Sequence, residues 1–155
     1  MPRLDRLPPA NRANLLNLPV QINEGSPWTP PRAPLAACRV AIVTTAGLHR
    51  RGDRPFIPGD PGFRSIPSDT PTADIVQSHT SIGFDRVPVM RDVNVSFPID
   101  RLRELVTKGT LGLAPASYSF MGAQRDVARI AAETGPACAR RLRDEGADVA
   151  LITPT

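Results

Sequence analysis

No stretch of the 155-residue chain approaches the roughly eighteen consecutive apolar residues of a membrane-spanning helix. The amino terminus is basic but lacks the apolar core and small-residue cleavage site of a secretory signal. Cysteine is scarce, with only Cys38 and Cys138, and their wide separation excludes a disulfide framework. Those absences together predict a cytoplasmic chain with reduced thiols. Histidine occurs only at positions 49 and 79, without the cysteine or carboxylate spacing that holds a metal, so no metal site is expected. No nucleophile elbow and no phosphate-cradling glycine run is present. Lysine is nearly missing too. Eighteen arginines accompany the single Lys108, giving a formal charge of +4, but they are scattered and aromatic residues make up only 5%. Without aromatic interleaving they offer no base-stacking platform, and nucleic acid is not an expected partner.

Proline is abundant, at 18 residues, and hydrophobic residues reach 41%. A chain of this length can withdraw about 68–70% of its unfolded surface from water, so one aliphatic core is affordable without staples. Residues 1–37 hold eight of the prolines and read as a long extended Pro-rich N-terminal arm, because proline fixes φ and removes a donor. Trp28, the single tryptophan, would anchor that arm either to its own domain or to a partner subunit. Residues 38–155 read as the folded domain.

Within that domain Arg39 to Thr45 is a compact β-branched run that suits a strand buried on both faces. About forty proline-punctuated residues follow, a connection long enough to be either functional or poorly ordered. Ile99, Leu102, Leu105 and Val106 fall on one helical face between Pro98 and Gly109, which predicts an amphipathic helix, with a short strand at 111–114 after it. From Gln124 onward helical spacing resumes and is interrupted by Gly135-Pro136, giving two abutting helices or one kinked helix. Asp148 to Thr153 reads as a last buried strand. The alternation predicts an α/β fold, an open and mostly parallel sheet with flanking helices. Ligands in such sheets bind beyond the carboxyl ends of the strands. The turn after Thr45 and the segment ending at Thr155 would share that edge.

Few side chains stand out chemically. His79 lies in the irregular region, where it can shuttle protons near neutral pH or can simply be solvated; His49 carries less weight. Asp92 and Asn94 alternate with Val93 and Val95, so an extended segment would turn both to one ligand, whereas turn and cap duties would explain the same residue types. Ser96 suits a helix cap. Cys38 and Cys138 read as small buried hydrophobes.

Several blocks in succession, Arg39 to His49, Arg64 with Ile66-Pro67, Ser78-His79, Asp92 to Asn94, Phe97 to Leu102 and Tyr118 to Gly122, resemble the selenoprotein B family of glycine, sarcosine, betaine and D-proline reductases. The resemblance covers residues 39–155 in the family's order. It implies an oxidoreductase subunit that uses thiols as electron donors to cleave a carbon–nitrogen bond reductively in a small amine-bearing substrate. It implies partners as well: other reductase subunits, one of them carrying a carbonyl group of the pyruvoyl type that holds the amine. By the same resemblance Thr45 and Gly47 lie at the substrate pocket, His79 near proton transfer, and Asp92 and Asn94 as orienting polar groups.

The resemblance places the redox selenocysteine or cysteine just after Thr155, so no cofactor is expected within these residues and the chain alone is expected to be inactive. A helix amino terminus at that turn would stabilise a thiolate or selenolate. Because selenocysteine is encoded by a codon ordinarily read as stop, the domain is expected to be incomplete at its C-terminus, and the last strand to show an uncovered apolar face. The alternative is a non-catalytic subunit or binding module that retains the scaffold.

Overall fold

The computed structural model describes residues 3–17, 24–25, 28–81, 83–124 and 126–155. The chain divides into two units, at Pro30 and Pro31. In the first, residues Pro9–Leu16 form helix α1 rather than an extended arm, with Pro9 at its first turn. Proline costs nothing at that position, and Ala10, Arg12, Ala13 and the leucines are strong helix formers. Stretch 18–23 and Pro27 of the expected arm lie outside the described residues. Trp28 is exposed.

The second unit is built on strand β1 (Arg39–Thr44). Its neighbours are β5 (Gly112–Leu113), β6 (Ala116–Phe120) and β7 (Val149–Thr153), all parallel to it, while β3 (Phe63–Pro67) closes the far side antiparallel to β6. The sheet is therefore mixed and mostly parallel. A second sheet pairs β2 (Leu48–Arg50) with β4 (Ile75–Gln77). The helices are α2 (Val87–Arg91), α3 (Ile99–Thr107) and α4 (Gly135–Asp144).

Side chains alternate along a strand, and the two faces of the sheet carry separate cores. Val40, Ile42 and Ile66 pack on one face with Ile99 and Leu102 of α3, with Phe97, and with Leu48 of β2. Val43, Phe63, Tyr118 and Phe120 pack on the other with Cys138 and Leu142 of α4. Phe63 meets Tyr118 edge to face, with ring centroids 5.5 Å apart. A helix on each face is what a parallel sheet requires.

The long connection after β1 is ordered rather than loose. It supplies β2, β3 and β4, whose patterns are too short and too polar for the period to show. Two arginines tie it down. Arg103 donates to the carbonyls of Ser68 and Thr70 at 2.8 and 2.6 Å and meets Asp100 at 2.8 Å. Arg64 meets Asp60 at 2.8 Å and stacks its guanidinium 4.2 Å from the Phe56 ring centroid.

Strand β6 also escapes the pattern, since Ser117 and Ser119 look like solvent positions yet are fully buried. Their hydroxyls accept the backbone N–H of Ile42 and of Leu48, at 2.9 and 2.8 Å. Pro115 breaks the ladder between β5 and β6, and the Ser117 hydroxyl serves the Ile42 amide beside that break. The last helix begins at Ala128, not Gln124, because Asp126 accepts the Ala128 amide at 2.8 Å. A π turn over Ile130–Thr134 then leads into α4, so the helix is one continuous run that absorbs Pro136 in its widened turn.

Candidate functional site

Five parallel registers run from Val40–Val149 to Thr44–Thr153, so β1 and β7 end together. Beyond them the Thr155 amide donates to the Thr45 hydroxyl at 2.8 Å. The turn after β1 and the residues after β7 therefore meet at one edge. Thr44 and Thr153 both donate their hydroxyls to the Ser96 carbonyl, at 3.1 and 2.8 Å, which locks both strand ends to the approach to α3.

Gly47 turns the chain back with a φ of +64°, a conformation that L side chains rarely adopt. A Cβ there would stand 3.1 Å from the His79 backbone, so glycine also permits the close approach of the segment that carries the histidine. The Gly47 amide donates to the Phe120 carbonyl at 2.9 Å and its carbonyl accepts from Ser78 at 2.9 Å. Those bonds set His79 beside Met121 and Gly122, at the end of β6.

His79 is 2% exposed and its ring lies 4.5 Å from that of Phe84. The Ser81 amide donates to Nδ1 at 3.2 Å, which leaves the proton of the neutral ring on Nε2. That Nε2 is buried and finds no partner among the described residues. Burial, aided by the charge of Arg86, holds the imidazole below its ordinary titration range. The group is a neutral donor in search of an acceptor.

Gly122 is the point at which these pieces converge, and nothing in its sequence neighbourhood beyond the family-like block singles it out. A Cβ on it would lie 2.7 Å from the Thr45 carbonyl oxygen, 2.9 Å from His79 Nε2 and 3.3 Å from the Thr155 carbonyl oxygen. Only a residue without a side chain allows three polar groups to approach so closely. Ala123 follows with a φ of +54°, the sole non-glycine residue in the left-handed region among those described. Strain of about 1–3 kcal/mol at such a position persists only where surrounding structure holds it. A cavity of about 670 Å³ adjoins this edge, lined by Thr80, Ser81, Met121, Ala123 and Arg129 among others.

Asp92 and Asn94 do not join this group. They line a different cavity, beside Leu48, Arg51 and Gln77. Their segment is a 3₁₀ turn rather than extended backbone, so the two side chains bond to each other instead of standing free toward a ligand. Asp92 accepts the Asn94 amide at 2.9 Å; Asn94 accepts the Asp100 amide at 3.0 Å and donates to both carboxylates. Turn and cap geometry uses the backbone amide of Asn94 and both polar atoms of its side chain. His49 sits on β2, buried, with Nδ1 2.8 Å from the Arg50 carbonyl.

Neither cysteine is poised for chemistry. Both are free and buried, and burial pushes the Cys138 thiol up to about 11. Among the described residues no group of three or more His, Cys, Asp or Glu could hold a metal ion, and no helix is long and apolar enough to cross a membrane.

Fold and site together define an α/β protein whose polar groups gather beyond the carboxyl ends of parallel strands, around a histidine and a bare glycine. The family model for glycine/sarcosine/betaine reductase selenoprotein B matches residues 15–155, and the chain belongs to that family. It is 42% identical over 128 residues to the D-proline reductase subunit gamma of Acetoanaerobium sticklandii, covering 81% of this chain and 52% of that protein. The glycine reductase complex component B subunit gamma of Carboxydothermus hydrogenoformans is 28% identical over 149 residues, 89% of this chain and 33% of the relative. The sarcosine reductase complex component B subunit beta of Peptoclostridium acidaminophilum is 29% identical over 144 residues, 88% and 32% of the two chains. The chain thus spans from a third to about half the length of these relatives. No solved structure matches it.

Proposed function

We propose that this chain contributes the proton-handling and positioning half of a reductase subunit that cleaves a carbon–nitrogen bond in a small amine, with the reactive selenocysteine or cysteine following Thr155 in the polypeptide. At that position a selenolate or thiolate would attack the carbon bearing the amine, forming a carbon–chalcogen bond while the C–N bonding pair leaves on nitrogen; an external thiol would then attack the chalcogen, the carbon–chalcogen pair leaving on carbon with a proton, and a second thiol would reduce the chalcogen–sulfur bond, releasing a disulfide and restoring the nucleophile. A carbonyl-bearing partner subunit would present the amine. The reading rests on one observation, the convergence of the Thr45 carbonyl, the Thr155 backbone and the unpartnered His79 Nε2 around Gly122.

In this reading Thr45 fixes the chain after β7 through the Thr155 amide, and Gly47 seats the histidine loop against the strand ends. His79 donates the Nε2 hydrogen to the reacting groups. Being neutral, it supplies a hydrogen bond at the departing nitrogen or the anionic nucleophile without adding a fixed positive charge. Asp92 and Asn94 belong to the scaffold that starts α3.

The test uses the polypeptide read through beyond Thr155, combined with its carbonyl-bearing partner, and follows thiol-dependent cleavage of glycine, sarcosine, betaine and D-proline. Turnover of at least one substrate is expected, abolished by replacing the chalcogen residue with serine and lowered about 10²-fold or more by His79→Gln. Tight association of the subunits with no turnover of any of the four amines overturns the reading in favour of a non-catalytic binding module.

A further inference from the structure

Strand β7 is the open side of the parallel sheet: it pairs with β1 through five registers and with no other strand among the described residues. Its sequence, Val149 to Thr153, carries no charge and no proline, the devices that keep a natural edge from accepting another strand. The chain then crosses the carboxyl ends of the strands, where the Thr155 amide meets the Thr45 hydroxyl at 2.8 Å.

The register assigns each β7 side chain to a face. Val149 and Thr153 lie opposite Val40 and Thr44, on the α3 side, where Val149 packs on the Val40–Ile42 core and the Thr153 hydroxyl reaches the Ser96 carbonyl. Leu151 shares that side and is 37% exposed. Ala150 and Ile152 lie opposite Ala41 and Val43, on the α4 side. Val43 is packed in the core beneath α4, yet its neighbour Ile152 is 67% exposed. The apolar surface of the α4 side therefore runs on past α4 without cover among the described residues, whereas a parallel sheet takes helices over both faces.

The two crossovers of the chain have the same hand. Between β1 and β5 the chain moves toward one side of the sheet with α3 on the Ile42 face; between β6 and β7 it moves the opposite way, past β1, with α4 on the Val43 face. Reversing both direction and face preserves handedness, and parallel crossovers keep one hand in about 98% of cases. A parallel strand added beyond β7 continues in the second direction, so its crossover helix falls on the Val43 face. We infer that the polypeptide following Thr155 lays a helix on the α4 side, over Ala150 and Ile152, and then pairs a strand parallel to the open edge of β7. This rests on the reading that the polypeptide continues past Thr155, and adds to it the face, the hand and the strand order. The first turn of that helix then stands at the edge shared by Thr45, Thr155 and Gly122. The relatives have the length for these elements, since this chain covers 52% of the D-proline reductase subunit and 33% and 32% of the other two. A second copy of the chain fits less well, because pairing between two edges would satisfy the backbone of β7 and leave Ile152 bare on its face.

The experiment compares the 155-residue chain with the polypeptide read through beyond Thr155, its chalcogen residue replaced by serine, using Ile152→Cys and Leu151→Cys as reporters of the two faces. The native Cys38 and Cys138 are buried and give a slow background. Maleimide labelling of Ile152→Cys is expected to be at least about tenfold slower in the longer polypeptide, and to be slowed more than that of Leu151→Cys. Hydrogen exchange of the unsubstituted chains keeps the test valid if a reporter misfolds: residues 149–153 should gain at least about tenfold protection in the longer polypeptide. Equal labelling of Ile152→Cys in both polypeptides overturns the inference, as does stronger slowing at Leu151→Cys, which would put the helix on the α3 side. Slowing that grows with the concentration of the 155-residue chain also overturns it and assigns the face to a second copy. Neither measurement requires turnover. A longer polypeptide that shields Ile152→Cys but cleaves no amine overturns the reductase reading alone, and an active one whose Ile152→Cys form labels freely overturns this inference alone.

Discussion

Because Ser81 donates to Nδ1 and burial disfavours the imidazolium, His79 is expected to titrate below the ordinary value of 6.5 and to carry its proton on Nε2. Nitrogen-detected NMR of the ring checks both points. A lowered pKa means that the unfolded chain binds the proton more readily than the folded one. Stability contributed by this group is therefore complete above pH 6.5 and is lost as pH falls from there toward the folded value. His79→Gln should flatten that part of the acid-unfolding profile. Gly122 makes an opposite kind of prediction, since the obstacle is backbone. Gly122→Ala must move the Thr45 carbonyl, 2.7 Å from the added carbon, and is expected to cost about 1–3 kcal/mol in denaturant unfolding. An unchanged unfolding midpoint would show that the strand ends are not held together there. His79 was conspicuous in the sequence as one of two histidines, whereas Gly122 could not be, because a glycine declares its role only through what crowds it.

The start of α3 is held by side chains brought from outside it. Asn94 accepts the Asp100 amide, and the Asp100 carboxyl is kept below the usual carboxylate range first by its bond from Asn94 and then by Thr72 and Arg103. Asn94→Ala is expected to destabilise the protein by about 1–2 kcal/mol, measured by thermal or urea unfolding. A lowered carboxyl pKa contributes stability above the unfolded value and loses it as pH falls through the folded one, so Asp100→Asn should blunt acid unfolding at pH 4 and below. At the other end of the sheet β7 is an edge strand with Leu151 37% and Ile152 67% exposed, so the apolar run read as a buried strand is buried nowhere along its length, although its apolar side chains do stand uncovered. Ile152→Lys should leave stability within about 0.5 kcal/mol while reducing self-association in light scattering. Helix α3 was legible because nine residues in helical period outweigh local ambiguity. The three-residue strands β2 and β4 were not, for too few positions exist to define an alternation, and their pairing with each other is a non-local fact.

At the scale of the whole molecule, two cores lie on opposite faces of one sheet, and substitutions in them should act independently. Phe97 and Cys138 lie in different cores, so the costs of Phe97→Ala and Cys138→Ala in unfolding free energy are expected to add within about 0.5 kcal/mol. Coupling well beyond that would mean that the sheet transmits strain between its faces. The hydrophobic periods, the proline punctuation and the scarcity of cysteine and histidine determined the class of fold, the parallel order of its main strands and the shared edge of Thr45 and Thr155, because those follow from side-chain spacing along single segments. Tertiary structure alone decided that Ser117 and Ser119 are interior, that Asp92 and Asn94 serve a helix start instead of the His79 edge, and that Gly122 is the meeting point of three polar groups. Each of those depends on which distant backbone atom arrives beside a residue, and no local pattern encodes an encounter between segments dozens of positions apart.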